Sequence, residues 1–193
     1  IVDLSLSGTP VKDLQPLRYA FNIRRLDISN SSVASLEAVQ KMPSLQFLNA
    51  SSSKVADINY LAGLVELQSL LLRHTPVFYL GGLANLQKLQ VLDVAASGVS
   101  DVAALSSLQG LATLNIDSTR VRDLRPLANL PALQELSANY SRIDNLDALK
   151  GISSLKRVYC DQTQIVRSVA ETFVASRPSV LVVYDSKDLK SWW

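Results

Sequence analysis

Apolar positions recur along this chain with a fixed spacing of 22 residues. Ile1, Ile23, Leu45, Leu67, Leu89, Leu111, Leu133 and Leu155 open eight successive copies, with no insertion or deletion between them. Position 4 of each copy reads Leu4, Leu26, Leu48, Leu70, Leu92, Leu114, Leu136 and Val158. Position 6 is equally apolar, from Leu6 and Ile28 to Cys160, and position 11 is Val or Ile throughout. Positions 4 and 6 alternate with polar neighbours, the period of a strand buried on one face. Positions 14, 17 and 20, as in Leu124, Leu127 and Leu130, step by three, which suits a short 3₁₀ segment. Each copy therefore predicts a short strand, a turn and a compact return segment. A single copy cannot bury its own apolar side, so the copies must stack into a solenoid.

The spacing L-x-x-L-x-L followed by an inward polar position resembles the leucine-rich repeat. The 22-residue length and the Asp-Leu-x-Pro-Leu segments at Asp13–Leu17 and Asp123–Leu127 are similar to the internalin-type subclass. The resemblance covers residues 1 to about 165. It implies an α/β solenoid, a right-handed superhelix with short parallel strands on the concave face and 3₁₀ or short helical segments on the convex face. It also implies a bacterial, non-catalytic binding domain on a surface or secreted protein, with a cytoplasmic location as the alternative. In the family, position 9 is usually Asn. Here it is Thr9, Ser31, Ser53, Thr75, Ser97, Thr119, Ser141 and Thr163, from which we expect an inward row of hydroxyls bonded to buried backbone.

Position 13 is Asp13, Asp57, Asp101, Asp123 or Asn145 in five copies, just before an apolar turn. These residues are expected to cap the return segments rather than to hold a metal. Beyond Ile165 the period fails. Val166, Val169, Ala170, Phe173 and Val174 form an amphipathic stripe, which predicts a helix over about 166–176 that Arg177-Pro178 stops. Val180 to Tyr184 then predicts one last strand, so residues 166–193 read as a C-terminal cap on a solenoid of residues 1–165. The chain starts on the repeat phase without Met or a signal segment and ends on Trp192-Trp193. We expect a domain taken from a longer protein, with the two tryptophans packed beneath the cap or leading onward.

Composition narrows the function. The net charge of the 193 residues is +2, with basic and acidic residues interspersed, so nucleic acid is not an expected partner. No apolar run approaches the roughly 20 residues that cross a bilayer. One Cys and one His allow no internal disulfide and no zinc site of those ligands, and no cofactor is expected.

Outward strand positions 3, 5 and 7, with position 8 at the strand end, supply the candidate surface. Phe47, Leu71 and Val91 form an apolar diagonal across copies three to five, next to Arg73 and Asp93. Asp117, Glu135, Asn139, Tyr140, Arg157, Tyr159 and Asp161 form a polar, tyrosine-bearing zone nearer the C-terminus. An apolar centre with a polar and aromatic surround is the anatomy of a protein interface. A protein partner is the leading expectation, and carbohydrate or a small ligand at the polar zone is the alternative. A spacer within a larger chain is a third reading, and the oligomeric state is left open. Phe78 and Tyr79, beside Gly81-Gly82, place aromatics at the edge of copy four as a second contact. Asp117 and Asp161, about 10 Å apart across two copies, are the best carboxylate pair for catalysis. An open face gives them no water-excluded cleft, and no enzyme is expected.

Overall fold

The computed structural model describes residues 2–184. Nine strands form one parallel sheet in strict chain order. They are β1 (Asp3–Ser5), β2 (Arg25–Asp27), β3 (Phe47–Asn49), β4 (Ser69–Leu71), β5 (Val91–Asp93), β6 (Thr113–Asn115), β7 (Glu135–Ser137), β8 (Arg157–Tyr159) and β9 (Leu181–Val183). The 22-residue period becomes the register itself: Leu4 faces Leu26, Leu26 faces Leu48, and so on to Leu136 facing Val158. The strand centres Leu26 to Val158 are fully buried. Between strands the chain returns through seven 3₁₀ turns, from Gln15–Leu17 to Asp147–Leu149, as the three-residue step predicts.

Each turn has two local devices. Position 8 holds a left-handed backbone in every copy, from Gly8 at φ 69° to Gln162 at φ 54°. Its N–H donates to the position-7 carbonyl of the next copy, as from His74 to Ala95 and from Tyr140 to Asp161. The position-9 hydroxyls bond within their own copy. Those of Thr75, Thr119 and Ser141 donate to the position-6 carbonyl three residues back, each at 2.6 Å. Asp57 and Asp101 accept the N–H two residues on, the first of the 3₁₀ turn, at 2.9 and 2.7 Å. The cap thus works as an Asx turn from one residue outside the segment, because the residue that borders the turn is the apolar position 14.

The C-terminal helix α1 spans Arg167–Ser176. Phe173 and Ala170 are buried and Val169 and Val174 half-buried, but Val166 lies just before the helix in extended backbone and is exposed. Arg177 ends the helix and its guanidinium donates to the carbonyls of Lys150 and Ile152 at 2.6 and 2.8 Å. β9 extends the sheet in parallel beside β8, with Arg157 facing Leu181, 24 residues on instead of 22. Trp192 and Trp193 lie outside the described residues. No described helix is long and apolar enough to cross a membrane.

Candidate functional site

The alternation of each strand turns position 4 inward and positions 3 and 5 outward, so every copy contributes two side chains to the exposed sheet face. Across β4 to β8 these side chains line an open hollow of about 340 Å³. Its apolar side is Leu71 and Val91, and its polar lining includes Asp93, Thr113, Asn115, Glu135, Ser137, Asn139 and Tyr159. Leu71, Val91, Asp93, Asn139 and Tyr159 of the expected surface are thereby brought together. Glu135 of the polar zone joins them, and Thr113, Asn115 and Ser137 are additional. They occupy positions 3 and 5 of copies six and seven, so the repeat phase alone points to them.

Phe47 does not line the hollow. Arg25 on the neighbouring strand covers its ring, with the guanidinium carbon 4.1 Å from the ring centre. This cation–π contact occupies the face that an interface would use. Arg73 and Tyr140 are exposed at the strand ends, and Arg157 pairs with Glu135 at 3.3 Å. Position 7 is less uniform than expected. Ser29 is only 5% exposed and Ala95 is fully buried, because the chain already curves into its turn there.

Asp117 and Asn139 have a structural task. In copies two, three, five and six the position-5 residue, Asp27, Asn49, Asp93 or Asn115, accepts the N–H of position 7 in its own copy. Copies seven and eight have Ser137 and Tyr159 at position 5. There the preceding copy substitutes: Asp117 accepts the N–H of Asn139 at 2.7 Å, and Asn139 accepts that of Asp161 at 2.8 Å. The Ser137 hydroxyl also donates to Asp117. A row that looks like ligand chemistry in the sequence is partly committed to the backbone.

At the edge of copy four, Phe78 and Tyr79 are 67% and 60% exposed and border a second hollow of about 360 Å³ with Ala56, Asp57 and Asn59. Two glycines make room for them. A methyl group on Gly81 would collide with the Tyr79 ring, and one on Gly98 would sit 3.2 Å from the Phe78 Cβ. Pro76 also lacks the N–H that this position donates to the preceding copy elsewhere, as Gly98 does to Val77.

Cys160 is buried at position 6, where burial, with a smaller contribution from the Asp161 charge, pushes its thiol up to about 12. His74 stands four copies away on an exposed turn.

Internalin C2 of Listeria monocytogenes has a similar fold. It superposes with a TM-score of 0.90 at 26% identity, over 95% of this chain and 80% of that one. This is an internalin-like leucine-rich repeat domain. A second Listeria internalin (inlF) matches this domain with a TM-score of 0.80 at 22% identity, over 93% of this chain and 59% of that one. A leucine-rich repeat protein of Leptospira interrogans shares the fold at 14% identity and a TM-score of 0.81, over 94% of this chain and 54% of that one. The ectodomain of the Arabidopsis thaliana receptor kinase GASSHO1/SCHENGEN3, solved in complex with Casparian strip integrity factor 2, matches at 22% identity and a TM-score of 0.70. That match covers 80% of this chain and 20% of the receptor. No family model matches the sequence of the internalin-like domain, and no curated protein does.

Proposed function

We propose that the chain is a non-catalytic protein-interaction module that takes its partner on the exposed face of the sheet. The observation that carries this reading is the hollow across β4 to β8, where Leu71 and Val91 stand half-buried on a rigid strand face within a polar surround. The plant receptor ectodomain, which shares the fold, was solved with a bound factor, and that precedent favours the same use here. Strands joined in register cost little further ordering on binding, so such a face converts contact area to affinity efficiently. The carbohydrate reading has less support, since Asp117 and Asn139 already hold backbone N–H groups.

The test is Leu71→Glu combined with Val91→Glu, both at outward positions. Proteins retained on the wild-type domain should be lost on the double variant, while its melting temperature stays within a few degrees. Equal retention by both would remove the hollow from consideration.

A further inference from the structure

The exposed strand face has a charge of its own. Positions 3, 5 and 7 carry six carboxylates (Asp3, Asp27, Asp93, Asp117, Glu135 and Asp161) and three guanidinium groups (Arg25, Arg73 and Arg157), with no lysine. The face is thus net −3 on a chain of net +2, which leaves +5 for everything else. Three of the carboxylates stand on three successive copies. Asp93 faces Asn115 across the sheet, Asp117 follows it two residues on, and Glu135 lies diagonally opposite on β7. Asp93 and Asp117 receive hydrogen bonds from N–H and hydroxyl groups, but neither forms an ion pair among the described residues. Among the described residues Glu135 pairs with the exposed Arg157 alone.

The apolar and acidic parts stand at a defined spacing. Val91 faces Thr113, and Thr113 faces Glu135, so two strand intervals separate the apolar side chain from the acidic group. That is about 10 Å. An extended polyproline-type segment rises about 3.1 Å per residue and returns to the same side every third residue. A segment crossing the strands would therefore reach from one to the other in three residues. Resting on the interaction reading above, we infer that the occupant of the hollow is an extended basic protein segment. It seats an apolar side chain on Leu71 and Val91 and a lysine or arginine, three residues away, beside Glu135 on its Asp93 side, with Asp117 adding its charge from the strand end.

Two substitutions isolate the charge from the fold. Asn already performs the backbone bond of Asp93 at Asn49 and Asn115, and that of Asp117 at Asn139. Asp93→Asn with Asp117→Asn should thus keep the melting temperature while removing two negative charges. The probe is a phage-displayed library of random decapeptides, selected on the wild-type domain at physiological salt. Selected peptides should carry Lys or Arg three residues from Leu, Ile, Val or Phe. Synthetic copies should bind the Asp→Asn variant roughly tenfold more weakly, and wild type more weakly as salt rises. Selection of uncharged or acidic peptides, equal affinity for the Asp→Asn variant, or no selection at all overturns the inference. Binding lost with Leu71→Glu and Val91→Glu but kept with the Asp→Asn pair would overturn the basic segment and leave the docking face standing.

Discussion

Asn30, Ser52, His74, Ala96, Ser118, Tyr140 and Gln162 all hold φ between 52° and 56°, where Cβ crowds the following carbonyl. Each costs roughly 1 kcal/mol relative to glycine. From Asn30 to Tyr140 the turn keeps them because their N–H groups are locked to the next copy. Gly8 is the one copy that escapes this cost. Ala96→Gly should accordingly stabilise the domain by about 0.5–1 kcal/mol, read as an upward shift of the urea midpoint. An unchanged or lower midpoint would show that this backbone is not strained. Tyr140 is the bulkiest residue in the row and 62% exposed, so its ring is projected from a backbone that resists it.

At the scale of elements, α1 is held by its exit more than by its entry. Val166 provides no side-chain cap at the first turn, whereas Arg177 reaches three carbonyls, of Leu149, Lys150 and Ile152, across 28, 27 and 25 residues. Arg177→Ala should loosen α1 and β9 by about 1–3 kcal/mol. The measurement is amide exchange, which should quicken in residues 167–183 and stay unchanged in β2 to β6. Strands, 3₁₀ turns, helix and final strand were all legible in the sequence, because period-2 and period-3 spacing report directly on which side chains face the core. The reach of Arg177 was not legible, since no local pattern marks a bond that spans 25 residues. The role of Asp117 was hidden for another reason. It takes the Asn139 N–H while the Ser137 hydroxyl donates to the same carboxylate, an exchange visible only once the copies are seen stacked. Phe47 read as exposed by phase, and only the neighbouring strand shows Arg25 lying on its ring.

Over the whole molecule, burial is uneven from end to end. Leu4, Leu6, Val11 and Leu17 of the first copy are half-buried, while Leu26, Ile28, Val33 and Val39 of the second are fully buried. A solenoid's stability is a sum of copies and their contacts, so the least buried copy opens first. Amide exchange in the described chain should be fastest in β1 and slow sharply by β3. Uniform protection from β1 onward would show that the first copy is supported as well as the rest. The unbroken 22-residue count has an evolutionary corollary. Every coil shows its neighbours the same apolar inside yet writes its own three letters outside, so exchanging one coil edits a line of the surface text and, where a turn leans on the coil before it, the bond that line carries.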